Sequence, residues 1–146
     1  MLIGCYFNTI DSKGRVFIPT KLRYSLGERI CLIKGVDGCI NIFTQEAWTD
    51  YAGKYIINRT YKDEKARQLR RFILGGSREL EIDKQGRINL PQDLIEYAKI
   101  EKDVVFVGVG DLIELWGAEA YEKEMGPDNL NPKEIMANAA VSEAEV

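Results

Sequence analysis

The chain has 146 residues, 45% of them apolar and 10% aromatic, which suits one compact body with a shared core. It contains no histidine and three cysteines, Cys5, Cys31 and Cys39, without a Cys-x-x-Cys pair; this argues against a zinc centre and a disulfide framework and leaves buried thiols as the expectation. The net charge of −3 hides a division, since residues 1–75 carry 13 Lys and Arg against 7 Asp and Glu while residues 76–146 carry 7 against 16, and a surface so polarised can meet a polyanion on one side or stack against itself.

No apolar run reaches the length of a membrane span, and the start Met1-Leu2-Ile3-Gly4 has neither the charge nor the apolar stretch of a signal peptide, so an intracellular protein is expected. Gly4 to Ile10 reads as a first strand. Asp11-Ser12-Lys13-Gly14 then reads as a turn, because an Asp side chain bonds backbone amides two residues on and Gly accepts a positive φ. Alternation resumes at Val16 and Ile18, giving a strand, a turn and a strand, with Arg15 at the root of the second strand.

Pro19 opens a short helix to Leu26, closed by Gly27. The apolar runs Ile30–Lys34 and Cys39–Phe43, joined by Gly35-Val36-Asp37-Gly38, read as a hairpin. From Thr44 to Gly75 the pattern is helical. Trp48, Tyr51, Ala52 and Tyr55 fall at helical spacing and are expected to face a core. Asn58 to Lys62 breaks the segment, and a second helix runs from Asp63 to Leu74, with Ala66, Leu69 and Ile73 on one face and Lys65, Arg67, Arg70 and Arg71 elsewhere, stopping at Gly75-Gly76.

At Leu80–Ile82 a strand begins again, and the device returns: Ile10-Asp11-Ser12-Lys13-Gly14-Arg15-Val16-Phe17-Ile18-Pro19 is matched, 72 residues later, by Ile82-Asp83-Lys84-Gln85-Gly86-Arg87-Ile88-Asn89-Leu90-Pro91. The correspondence extends to a helix at Pro91–Ala98, to Val104–Val107 and Leu112–Trp116, and to a helical Ala118–Met125, so one unit of about 45 residues occurs twice. A unit that short buries too little surface to stand alone, and its natural partner is the other copy. After Gly126-Pro127 the composition becomes acidic and poor in apolar residues, which reads as a mobile or weakly helical tail.

Two Arg-tipped turns suit nucleic acid, because guanidinium forks onto guanine O6 and N7 or onto phosphate and a β-ribbon fits the major groove. Arg15, Arg87, Lys13 and Lys84 are therefore the candidate DNA contacts. Asp11, Gly14, Asp83 and Gly86 are read as shaping the turns and holding the arginines, and Arg70 and Arg71 as secondary candidates for phosphate. No metal site or cofactor is expected, and an enzyme is disfavoured because histidine is absent and no activated nucleophile is in view.

The paired motif Asp-x-x-Gly-Arg-Val/Ile-x-Ile/Leu-Pro, with Arg70-Arg71-Phe72-Ile73-Leu74-Gly75-Gly76 between the copies, resembles the MraZ family of bacterial transcription regulators over roughly residues 1–125, and more loosely the AbrB-type swapped-hairpin domains. The resemblance implies an α+β, mainly β fold: a pseudo-twofold double-split β-barrel from two tandem AbrB-like units with short helices and a helical connector. On that reading the chain divides into a first unit (1–47), the connector (48–75), a second unit (76–125) and an acidic tail (126–146). It further implies a cytoplasmic, nucleoid-associated protein that assembles as a homo-oligomeric ring and binds double-stranded DNA at direct repeats in its own promoter, ahead of the division and cell-wall gene cluster. The family's Asp-x-x-x-Arg signature falls on Asp11 with Arg15 and on Asp83 with Arg87.

Three rivals stand beside it. An antitoxin-type module of the AbrB kind would use the acidic tail to bind a partner protein. An enzyme would use Asp11 with Arg15 at a cleft. A single-strand or RNA binder would stack bases on Tyr6, Phe7 or Phe17.

Overall fold

A computed structural model describes the backbone of residues 1–145 and the side chains of residues 1–140, so the very end of the expected acidic tail lies outside the described residues. The order is β1 (Leu2–Thr9), β2 (Arg15–Phe17), α1 (Thr20–Arg23), β3 (Arg29–Lys34), β4 (Ile40–Thr44), α2 (Gln45–Ala52), a π-helical turn (Gly53–Ile57), α3 (Glu64–Gly76), β5 (Arg78–Glu81), β6 (Arg87–Asn89), α4 (Gln92–Tyr97), β7 (Asp103–Gly110), β8 (Ile113–Gly117), α5 (Ala118–Met125) and α6 (Pro132–Glu145). The fold is α+β, built mainly from antiparallel strands with short helices. Six strands form one sheet in the order β1-β7-β8-β4-β3-β5, with open edges at β1 and β5, and β2 pairs with β6 as a separate two-stranded ribbon.

The pairing exchanges strands between the two repeats. β1 pairs with β7, and β5 with β3, so the first strand of each repeat lies against the third strand of the other. The registers obey one pseudo-twofold: Thr9 faces Asp103 as Glu81 faces Arg29, and Ile10 N–H donates to Lys102 O at 2.9 Å as Ile82 N–H donates to Glu28 O at 2.8 Å. Equivalent residues meet on the axis itself, Val16 against Ile88 in the ribbon and Asn41 against Glu114 in the sheet.

This corrects the expectation of a local hairpin in each repeat. β1 and β2 touch as strands only at the single bridge Ile10–Val16, because both spend their backbone groups on the other repeat. Burial supplies the reason for the exchange: Ile30, Leu32, Ile40, Ile42, Val104, Phe106, Ile113 and Leu115 from the sheet, Val16 and Ile88 from the ribbon, and Leu22 and Leu94 from the helices fill one core. Each such side chain contributes about 1.5–3 kcal/mol when taken from water, and no single repeat holds enough of them to close a core.

On the outer face of the sheet, α2 and α3 cover Cys31, Ile33 and Phe43, and α5 covers Cys39, Val105 and Trp116. Thr44 caps α2 by accepting from Ala47 N–H at 3.0 Å, and Asp63 caps α3 by accepting from Lys65 N–H at 3.1 Å. The aromatic stripe divides: Trp48 and Tyr51 pack on Phe43 with ring centroids 5.4 and 5.1 Å away, whereas Tyr55 lies one turn beyond the sheet and is exposed. Burial holds for two of the three thiols, pushing Cys31 up to about 11 and Cys39 up to about 12, while Cys5 sits exposed on the edge strand β1. α6 is exposed at every position from Pro132 to Ala140.

Candidate nucleic-acid interface

Each turn is built by its aspartate. Asp11 Oδ1 accepts from the amides of Lys13 and Arg15, both at 2.9 Å, and its Oδ2 accepts from Arg15 Nε at 2.8 Å. The second copy repeats this almost to the decimal: Asp83 Oδ1 accepts from Gln85 and Arg87 amides at 2.9 Å, and Oδ2 accepts from Arg87 Nε at 3.0 Å. The carboxylate therefore closes the turn and fixes the arginine with one group. Both carboxyls are held below the usual aspartate range, chiefly by the amide of the arginine four residues on; desolvation opposes this as the next largest influence, and the guanidinium and the amide two residues on add to the lowering.

Gly14 and Gly86 adopt φ of +84° and +87°, which the turn requires. Their carbonyls then reach across the axis: Gly14 O accepts from Leu90 N–H at 2.8 Å, and Gly86 O accepts from Ile18 N–H at 2.9 Å. Each turn is thus pinned to the ribbon strand of the other repeat.

The ribbon brings the two arginines together. In its register Arg15 faces Asn89, Val16 faces Ile88 and Phe17 faces Arg87. Side chains alternate, so with Val16 and Ile88 pointing into the core at 1% exposure, Arg15, Phe17, Arg87 and Asn89 share the outward face. Arg15 and Arg87 are diagonal neighbours there, about 7–8 Å apart by the usual strand spacing. Each uses Nε on its aspartate, and among the described residues the terminal guanidinium nitrogens of both make no hydrogen bond. Lys13 and Lys84 are exposed on the two turns that flank the ribbon.

The secondary candidates lie elsewhere. Arg70 donates through Nη2 to the carbonyls of Ile57 and Arg59 at 2.9 and 3.1 Å and stacks its guanidinium on Tyr61 at 5.2 Å, so it ties α3 to the π-helical turn. Arg71 is exposed on α3. Neither belongs to the ribbon face.

Three residues of this surface escaped the sequence reading in their present role. Asn89 was within reach of it, because Arg87-Ile88-Asn89 alternates and places Asn89 beside Arg87 on one face. Phe17 stood out only as an aromatic; its pairing with Arg87, whose guanidinium lies 5.8 Å from the ring centre, comes from the ribbon register. Arg23 covers Gly86, where a Cβ would collide with its guanidinium, and the equivalent residue of the other repeat is Ile95, which lies beside Gly14.

Comparison with known proteins places the chain among relatives. The family model described as "MraZ protein, putative antitoxin-like" matches residues 1–71 and again 73–137, one match covering each copy of the motif. The protein named transcriptional regulator MraZ from Thermoanaerobacter sp. (strain X514) is 46% identical over 136 residues, 92% of this chain and 94% of that one. Its namesake from Caldanaerobacter subterraneus subsp. tengcongensis is also 46% identical over 136 residues with the same coverage, and that from Acetivibrio thermocellus is 39% identical over 141 residues, 97% of this chain and 98% of its own. The chain therefore belongs to the MraZ family, whose curated members matched here carry the name of transcriptional regulators.

Proposed function

We propose that this chain is a sequence-specific regulator that binds double-stranded DNA through the outward face of the β2–β6 ribbon. One observation carries the reading: two arginines, each locked by its own aspartate, stand on a single solvent-facing ribbon with their terminal nitrogens uncommitted. A two-stranded ribbon has the width to enter a major groove, and preset guanidinium forks bind guanine edges or phosphates without first being ordered. Lys13 and Lys84 add charge at its two ends.

The fold is read as a double-split β-barrel of two AbrB-like units, residues 1–47 and 76–125, the sheet and ribbon enclosing one core. Assembly is read as a homo-oligomeric ring. Support comes from an exposed apolar edge at Ile3, Phe7 and Val109 and a second exposed set at Tyr55, Ile57, Tyr61 and Phe72 on the connector. Two different apolar patches on one chain suit head-to-tail contacts, which close into a ring where the rotation allows. A ring multiplies weak ribbons on one scaffold, so direct repeats of matched spacing are bound by effective concentration although the chain is net negative. The target is read as the protein's own promoter, ahead of the division and cell-wall gene cluster, with the protein in the cytoplasm at the nucleoid.

The deciding experiment is binding of the full chain to its own upstream DNA and to scrambled duplex, titrated with salt, beside the Arg15→Ala/Arg87→Ala variant. Preference for the promoter that disappears in the variant supports the reading; equal weak binding of both duplexes refutes it.

A second reading, an antitoxin-type module, draws on the wording of the family description and on α6, a helix exposed through residue 140 at the end of the acidic half. Deleting residues 126–146 separates the two. Loss of a co-purifying partner with DNA binding retained favours the second.

A further inference from the structure

The ribbon face is twofold symmetric in its arginines and asymmetric in everything between them. The axis that exchanges Arg15 with Arg87 passes between Val16 and Ile88 and exchanges Phe17 with Asn89. A large aromatic therefore stands where its mate is a small carboxamide. Phe17 is 51% exposed and has no part in the core, although strand residues of that size are ordinarily retained by packing.

The two arginines are consequently held in different ways. Arg87 lies between Asp83 and the Phe17 ring, 5.8 Å from its centre, and its side chain is 24% exposed; Arg15 has Asp11 and faces Asn89, and is 36% exposed. The strand beneath Phe17 is also tied down on one side only, by Asn8 Nδ2 donating to Phe17 O at 2.9 Å. The residue equivalent to Asn8 in the other repeat is Leu80, which has no such donor.

Resting on the DNA-binding reading above, we infer that Phe17 and Asn89 are specificity-determining residues that give each ribbon a direction. Asn89 beside Arg15 forms a hydrogen-bonding end, its carboxamide matching the N6 and N7 edge of adenine while the guanidinium matches guanine O6 and N7. Phe17 beside Arg87 forms an apolar end that contacts a thymine methyl and excludes water, with Arg87 stacked and less able to reorient. One ribbon then reads a site whose two halves differ. Copies of the chain carried in the same orientation on a common scaffold bind repeats that run in the same direction.

The test is selection of duplexes from a randomised library by the full-length protein, the Phe17→Asn variant, which makes the face symmetric, and the Asn89→Ala variant. The wild type should recover a site with unlike halves. Phe17→Asn should shift the recovered bases at one end so that the halves become alike under inversion, and Asn89→Ala should lose about tenfold to hundredfold preference at one base step. Both side chains are exposed, so thermal midpoints should stay close to wild type; if Phe17→Asn does not fold, the Phe17→Ser/Asn89→Ser double variant presents an equally symmetric face and makes the same comparison. Identical recovered sites from wild type and variants overturn the inference while leaving the DNA reading intact. A wild type that recovers no preferred site overturns both.

Discussion

Val16 and Ile88 face each other at the centre of the ribbon, each 1% exposed, and they are the same position of the two repeats. The proposed DNA-facing surface is thus the outer side of a strand pair whose inner side is the shared core, so binding and folding are coupled through one layer of backbone. Ile88→Ala removes three carbons from this layer and should cost about 2–5 kcal/mol. Chemical denaturation followed by intrinsic fluorescence should show one transition for wild type and variant alike, because strand exchange leaves neither repeat a core of its own. Two separated transitions would contradict the shared core.

Arginine removal should act in the opposite sense, on binding and not on folding. The Asp11–Arg15 and Asp83–Arg87 pairs are solvent-screened surface ion pairs, of the kind that contributes little to stability. Arg15→Ala and Arg87→Ala should each leave the thermal midpoint nearly unchanged and lower the slope of log affinity against log salt by about one for every phosphate that the guanidinium had neutralised. A slope unaltered in the double variant would place both residues off the DNA.

Glycine at the turn should affect both properties at once. Gly14 sits at φ +84°, and a Cβ there would approach Asn89 Oδ1 at 3.2 Å and Leu90 O at 3.3 Å. Gly14→Val combines left-handed strain of about 1–2 kcal/mol with pressure on the cross-axis hydrogen bond from Leu90. Stability and DNA affinity should fall together, as measured by thermal melting and duplex titration; a stable, fully binding variant would show that the turn tolerates another conformation.

The turns, the helix starts at Thr44 and Asp63, the hairpin of β3 and β4 and the two-copy plan were legible because each is written in local chemistry: Asp and Gly at fixed offsets, alternation, and an aligned repeat. The strand exchange was not. Leu2–Thr9 looks the same whether it pairs with the strand that follows it or with Asp103–Gly110, and only the summed burial of both repeats selects the latter. Cys5 and Tyr55 were misplaced for the same reason, since periodicity cannot tell that β1 is an edge strand or that the helical stretch carries on past α2 into the π-helical turn, away from the sheet. At the site, Asp11 and Arg15 declare their pairing by a spacing of four, whereas Phe17 and Arg87, 70 residues apart, meet only through the ribbon register.

Comparison of the repeats also exposes a residue at a conformational disadvantage. Lys99 has φ +52°, the sole non-glycine with positive φ among the described residues, at the position where the first repeat has Gly27 at +74°. Lys99→Gly should relieve left-handed strain and stabilise the fold by about 1 kcal/mol, read as a rise in thermal midpoint. An unchanged or lower midpoint would mean that packing of the lysine side chain offsets the strain.

Acid should loosen the hold of the two aspartates on their arginines. Asp11 and Asp83 have folded pKa values depressed below their unfolded ones, so the stability they contribute is present above the ordinary aspartate range and is lost as pH falls through the depressed values. The difference in thermal midpoint between wild type and the Asp11→Asn/Asp83→Asn variant should therefore be constant from neutral pH down to about pH 5 and shrink below about pH 4. Asparagine keeps one acceptor for the turn amides but gives up the charge that holds Nε, so the variant should also bind promoter DNA more weakly at neutral pH, its arginines now having to be ordered as the complex forms. A midpoint difference that persists unchanged into acid would mean that the carboxylates act through shape alone and that their charge contributes nothing to the lock.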